Sequence, residues 1–169
     1  MITPLNFNNF ISESFLDYPD NSSLSLVFYM PGCNRNCKDC QNKDLQNFEG
    51  FRDIDIITSS LYELSISYKT NKLCLQGGDP LYKENLYFTK YLLSKLGKIL
   101  DICIYTGADI EEVKKLKLNG FTFIKCGKFD INKFVGSKKT NEYLQFATKN
   151  QALYDKDFNL LSKEGIFYF

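Results

Sequence analysis

A chain of 169 residues, 44% of them hydrophobic, has enough apolar material for one buried core and reads as a single domain over residues 1–169. Its 21 basic and 20 acidic residues leave a net charge of +1, so no strong field draws it to nucleic acid or to an anionic membrane surface. It has no apolar run long enough to span a membrane, no basic-then-apolar leader and six cysteines, so the expectation is a cytoplasmic protein whose thiols bind metal or lie buried.

The predicted elements follow a strand–helix rhythm. Residues 10–18 suggest a leading strand, and 24–30 form a short apolar run typical of a buried strand, stopped by Pro31-Gly32. A cysteine-rich loop comes next. From Asp53, Ile54, Ile57, Leu61 and Leu64 recur at helical spacing. A second strand spans 72–76 and stops at Gly77-Gly78-Asp79-Pro80, after which Leu86, Phe88, Leu92, Leu93 and Leu96 outline a helix ending near Gly97.

A third strand over 99–105 ends at Thr106-Gly107. Asp109 with Glu112 three residues later predicts a capping box for a helix carrying Ile110, Val113 and Leu116. A fourth strand over 121–126 is closed by Gly127. From about residue 132 the pattern is less regular, and the expectation there is that 152–161 and 165–169 pair as a small β-element around residues 155–157.

Strands separated by helices of this length imply right-handed crossovers and a mainly parallel α/β sheet. The chain is far shorter than the roughly 250 residues of an eight-unit barrel, so the expected architecture is an incomplete, open parallel β/α barrel. The cysteine loop, Gly77-Gly78-Asp79-Pro80, Thr106-Gly107 and Lys125-Cys126-Gly127 all fall at C-terminal ends of predicted strands, the edge where such folds build sites.

Cys33, Cys37 and Cys40 follow the spacing C-x3-C-x2-C. Three thiolates on one loop leave a fourth metal position without a local ligand, and a chain with no histidine cannot close it as a structural zinc site normally is. Cys74, Cys103 and Cys126 sit inside predicted strands, where small buried thiols are the default. An electron-transfer ferredoxin needs four cysteines per cluster. The spacing therefore points to an iron–sulfur cluster with one exchangeable iron. Gly77-Gly78 lets backbone approach a ligand closely, although such tetrapeptides are commonly plain turns and Asp79 could equally cap the next segment. Arg35 and Arg52 are the two arginines in an otherwise lysine-based set, which reads as coding bias rather than function.

The segment Cys33-Asn34-Arg35-Asn36-Cys37-Lys38-Asp39-Cys40, followed by Gly77-Gly78-Asp79-Pro80, resembles the radical S-adenosylmethionine superfamily. Within it, the chain is most similar to the activating enzymes of anaerobic ribonucleoside-triphosphate reductases. Ser14-Phe15-Leu16-Asp17-Tyr18-Pro19, Met30-Pro31-Gly32-Cys33, Gln41-Asn42, Tyr105-Thr106-Gly107 and Ile124-Lys125-Cys126-Gly127-Lys128-Phe129 add to the likeness, as do Gly136-Ser137 and Thr140-Asn141.

The resemblance implies a [4Fe-4S] cluster held by Cys33, Cys37 and Cys40, with S-adenosylmethionine on the fourth iron. It implies reductive cleavage to a 5′-deoxyadenosyl radical and transfer of the radical to a glycine of the reductase, with an electron donor such as flavodoxin. It further implies cofactor contacts from Asp39, Cys40, Gln41, Gly77, Gly78, Asp79, Thr106 and Lys125, for which a turn cap at Thr106 and a solvated Lys125 are the plain alternatives. The absence of histidine fits radical chemistry better than acid–base chemistry. Two other readings stand beside the activase: a small radical enzyme acting on a metabolite, such as a deazaguanine precursor, and a module in which the cysteines hold a structural metal.

If the three loop cysteines are the ligands, Cys37→Ser abolishes S-adenosylmethionine cleavage by the reconstituted protein and Cys103→Ser leaves it largely intact, measured as 5′-deoxyadenosine released. Equal loss in both would show a different ligand set.

Overall fold

In a computed structural model, residues 10–21, 24–47 and 53–169 are described. The strands β1 (Ile11–Ser14), β2 (Ser25–Met30), β3 (Lys72–Gly77), β4 (Asp101–Tyr105) and β5 (Phe123–Cys126) lie side by side in chain order. β1 runs antiparallel to β2, and β2 to β5 are mutually parallel. The crossovers carry α1 (Ile54–Ser67), α2 (Lys83–Leu96) and α3 (Ile110–Lys115). Parallel strands added in one direction through right-handed crossovers place every helix on the same face of the sheet.

Strand alternation sorts the side chains accordingly. Leu26, Phe28, Met30, Leu73, Leu75, Ile102, Ile104 and Ile124 share one buried cluster with Ile57 and Leu61 of α1, Phe88, Leu92, Leu93 and Leu96 of α2, and Val113 of α3. The intervening residues point to the opposite, helix-free face. There Val27, Cys74 and Cys103 pack with Tyr18 and Phe123, in direct register across the strands. One step nearer the C-terminal ends of the strands, Tyr29 stands opposite Gln76, and Tyr105 opposite Lys125.

The helices match their sequence patterns. Ile57 and Leu61 are buried on α1, and α3 begins at the predicted capping box, with Asp109 accepting from Glu112 N and Glu112 accepting from Asp109 N. The third predicted strand is two residues shorter at its start, because Ile99 closes the turn after α2 through its N–H to Leu96 O and its side chain is exposed. The fourth likewise begins at Phe123 rather than at residue 121. The leading strand is limited to Ile11–Ser14, beyond which Ser14 and Asp17 bond to each other in a tight turn.

The predicted pairing in the tail is wrong. β8 (Ala152–Asp155) adds antiparallel to the far side of β5, while β9 (Ile166–Tyr168) pairs with β7 (Tyr143–Gln145), which also pairs with β6 (Lys138–Lys139). Asp155 accepts the N–H groups of Asp157 and Asn159, so the chain does turn there, but the return makes only an isolated bridge between Tyr154 and Leu160. A free edge of β5 offers a longer ladder than a local hairpin would. The small sheet β6–β7–β9 covers part of the helix-free face, where Leu144, Phe146 and Leu153 meet Tyr105, Phe123 and Phe167.

The architecture is thus a mixed α/β sheet with a parallel centre. Its outermost strands, β1 and β8, each pair with one other strand and not with each other, so no closed barrel forms among the described residues. Leu75, fully buried between α2 and the sheet, tests this core. Leu75→Ala is expected to cost roughly 2–5 kcal/mol in a urea titration.

Candidate iron–sulfur site

The C-terminal ends of β2, β3, β4 and β5 open into a cavity of about 270 Å³, near the lower end of small-molecule sites. Its walls include Cys33, Cys37, Cys40 and Gln41 from the cysteine loop, Gly77 and Gly78 after β3, Thr106 and Gly107 after β4, and Lys125 on β5. The strands thus bring together residues as distant in sequence as Cys33 and Lys125. The small sheet and the segment after β1 complete the enclosure, with Leu144, Phe146, Leu16 and Asp17.

Local geometry aims the loop. Asn36 and Asp39, each directly before a cysteine, take φ of 51° and 55°, a left-handed conformation that Asn and Asp tolerate better than most residues. These two reversals curl residues 33–40 so that all three half-buried thiols line one cavity. The loop is anchored at both ends: Gly32 and Cys33 donate N–H bonds to Leu45 O and Gln46 O at 2.7 and 2.9 Å, and Asn42 Nδ2 donates to Gly77 O at 2.9 Å.

Gly77-Gly78 has a steric reason as well. Gly77 has φ of +119°, and a Cβ on Gly78 would lie 2.5 Å from Gly32 O and 2.6 Å from Leu45 O. Gly78 is bare because the two ends of the cysteine loop sit directly on it, and Gly77 because the β2 backbone at Met30 lies 2.6 Å from where its Cβ would be. Asn85, buried on α2, donates through Nδ2 to Pro31 O and Asp79 O at 2.9 and 3.0 Å, joining the exits of β2 and β3.

Asp79 is buried and does not line the cavity. Its Oδ1 accepts from Leu81 N and Thr106 Oγ1 at 2.9 and 2.7 Å, and its Oδ2 from Arg35 Nε and Gly107 N, both at 3.3 Å. Thr106 in turn accepts from Ala108 N at 3.0 Å, which makes it a turn cap whose hydroxyl is already engaged. Asp39 is exposed and outside the cavity wall, and its contribution is the backbone reversal.

Lys125 is not a solvated lysine. It is 8% exposed, and its Nζ lies 4.9 Å from the centre of the Tyr105 ring, with no carboxylate paired to it among the described residues. Burial pulls its ammonium down to about 8, against a smaller opposing effect of Cys126. A buried cation at a cavity wall is suited to an anionic group of a ligand.

The donor set fits an iron–sulfur cluster. Three soft sulfur ligands share one cavity, and burial pushes the Cys33 thiol up, with Cys37 and Cys40 near enough to add to the effect. Iron would oppose that shift, since it binds the thiolate. Among the described residues no three Cys, Asp or Glu side chains are drawn together at metal-binding distance, so the thiols line the wall without closing on one point. Cys74 and Cys103 lie in the deeper layer of the helix-free face, and Cys126 packs on the helix side. None of the three lines the cavity, so none supplies a fourth ligand there.

The sequence alone gives no role to the side chains of Arg35, Asn42 and Asn85, nor to Gln76, which lines the cavity from β3. Arg35 carries a signal, as an arginine between two candidate ligands in a lysine-based chain, but composition alone accounts for it as coding bias. Asn85 lay inside a helical pattern where nothing marks an amide that reaches two strand exits.

The chain belongs to the 4Fe-4S single cluster domain family, whose profile matches residues 23–154. It is similar to the anaerobic ribonucleoside-triphosphate reductase-activating protein of Enterobacteria phage T4, with 28% identity over 122 residues, covering 69% of this chain and 78% of that protein. Both matches bear out the resemblance to activases of the radical S-adenosylmethionine type. No solved structure matches the chain.

The Lys125 shift has a direct consequence for stability. Between about 8 and 10.5 the unfolded chain holds a proton that the folded chain has shed, so stability rises with pH across that window and the burial cost is complete below it. Lys125→Met is therefore expected to stabilise the chain at pH 7 by on the order of 2–3 kcal/mol. The gain fades as pH approaches the upper limit, as urea titrations at the two pH values would show.

Proposed function

We propose that this protein is a radical S-adenosylmethionine activase that generates a glycyl radical on an anaerobic ribonucleotide reductase. The observation that carries the reading is the convergence of Cys33, Cys37 and Cys40 with Gly77, Gly78 and Lys125 on one cavity at the C-terminal edge of a parallel sheet. The similarity to the phage activating protein supports the choice of target. We read the open sheet as the arc of an incomplete β/α barrel within a single domain over residues 1–169.

In this reading Cys33, Cys37 and Cys40 hold three irons of a [4Fe-4S] cluster. When bound, the cluster and S-adenosylmethionine would supply the one-electron chemistry, with the electron from the external donor, that ends in transfer of a hydrogen atom from the substrate glycine to the cofactor's 5′ carbon. The chain's residues bind, orient and exclude water. Gly77 and Gly78 at the end of β3 receive the methionyl end through their main chain, and Gln41 meets the cofactor through its own. Lys125 neutralises an anionic group, where its buried charge acts in a low dielectric. Asp79 and Thr106 position the strand exits rather than touch the cofactor, and Asp39 sets the turn before Cys40. Tyr29, Tyr105 and Phe146 keep the walls largely apolar, as hydrogen abstraction requires.

The partner is then the glycyl-radical subunit of the reductase, with a flavodoxin-like donor for the electron, in the cytoplasm. No helix among the described residues is long and apolar enough to cross a membrane.

The test is anaerobic reconstitution with iron and sulfide, then S-adenosylmethionine and a strong reductant. The expected products are methionine and 5′-deoxyadenosine, and addition of the cognate reductase should give a glycyl-radical signal by electron paramagnetic resonance. A fully loaded cluster that releases no 5′-deoxyadenosine would overturn the reading. Cleavage without a glycyl radical on the reductase would leave the cofactor chemistry and reject the target.

A further inference from the structure

Arg35 lies in the cysteine loop between Cys33 and Cys37, and its side chain leaves the loop altogether. Its stem crosses Gly107, where a Cβ would come within 3.0 Å of Arg35 Cγ. Nε reaches Asp79 Oδ2 at 3.3 Å, and Nη1 donates to both carboxylate oxygens of Glu112 at 3.0 Å. One side chain therefore ties the cysteine loop to the exit of β3, the exit of β4 and the first turn of α3. At its other end, the main-chain N–H of Arg35 donates to Cys33 Sγ at 3.4 Å.

We propose that Arg35 is a positioning residue for the cluster ligand Cys33: clamped by Asp79 and Glu112, it holds its own N–H on the Cys33 sulfur and the loop on the strand ends. This rests on the reading that Cys33 binds an iron–sulfur cluster. Hydrogen bonds to ligating sulfur stabilise the more negative, reduced cluster and so help set its reduction potential. The Glu112 half of the clamp is poorly explained as a stabilising surface ion pair. Glu112 is 47% exposed, and pairs of that kind contribute little to stability. What the contacts provide is direction, because a guanidinium can serve two acceptors on different elements at once.

Glu112 is well placed to report the effect without damage to the fold. It already caps α3, and a glutamine at that position can still cap. The Asp109 N–H holds the Glu112 carboxyl below its usual range, desolvation opposes this, and Arg35 adds to the lowering.

The test uses the reconstituted full chain without S-adenosylmethionine or reductase. Two quantities are read: the rate of cluster loss to a fixed excess of ferrous chelator, and the cluster midpoint potential by redox titration. Arg35→Gln is expected to speed cluster loss by about tenfold or more, the usual range for a lost outer-shell partner, and to move the potential to a more negative value. Glu112→Gln should shift both in the same direction by less, with apo-protein thermal unfolding unchanged. Arg35→Lys should recover part of the loss, since an ammonium reaches one acceptor but not both. The double variant Arg35→Gln/Glu112→Gln should be no worse than Arg35→Gln alone. Wild-type loss rate and potential in Arg35→Gln, or independent additive effects in the double variant, would overturn the proposal. Should Arg35→Gln fail to load, an unchanged potential and loss rate in Glu112→Gln would overturn it equally. A wild-type chain that takes up no cluster would instead reject the functional reading.

Discussion

A buried carboxylate must collect its hydrogen-bond donors from whatever lies nearby, and in this protein Asp79 collects them from three separate strand exits. The donors are Leu81 N after β3, Thr106 Oγ1 and Gly107 N after β4, and Arg35 Nε from the loop after β2. Removal of a carboxylate from water is tolerable only when such partners are in place. The charge therefore makes the relative position of the exits a condition of folding. The cavity that contains the three thiols is bounded in part by those same exits, so this one desolvated group fixes three of its walls relative to each other.

The division of the sheet into two faces supplies the rest. With the helices confined to one side by the sense of the crossovers, the other side is covered by small pieces: Tyr18 after β1, and the β6–β7–β9 sheet. These pieces fill the space over the deeper layer of Val27, Cys74, Cys103 and Phe123. Over the next layer, at the strand ends, they leave room. Lys125 belongs to that upper layer, where it is buried by the walls while still bordering the cavity, and this accounts for its depressed ammonium.

The arrangement also separates two kinds of cysteine by alternation and depth. Cys33, Cys37 and Cys40 lie on a loop past a strand end, half-buried and facing a cavity. Cys74, Cys103 and Cys126 lie within strands and are closed off. Burial raises the Cys74 thiol strongly, with Cys103 adding to it, and pushes the Cys126 thiol up to about 12 despite the nearby Lys125. Cys74 and Cys126 are inert by environment, as thiols deprived of the thiolate form are.

Local pattern determined much of this protein. The apolar runs at 24–30 and 72–76, the helical spacing of Ile54, Ile57, Leu61 and Leu64, and the Asp109–Glu112 box each encode their element through contacts within a few residues. The C-x3-C-x2-C spacing likewise places three soft ligands on one loop, and the structure sets all three on the wall of one cavity. What only the tertiary structure decided involves partners distant in sequence: the use of β5 rather than a local hairpin as the partner of β8, the meeting of Arg35 with Asp79 and Glu112, and the reach of Asn85 to two strand exits. It also decided that Lys125 is buried and that Gly78 is bare to seat the cysteine loop. None of these leaves a periodic trace, since each is one contact across a long loop whose closure is set by the packing of the whole sheet.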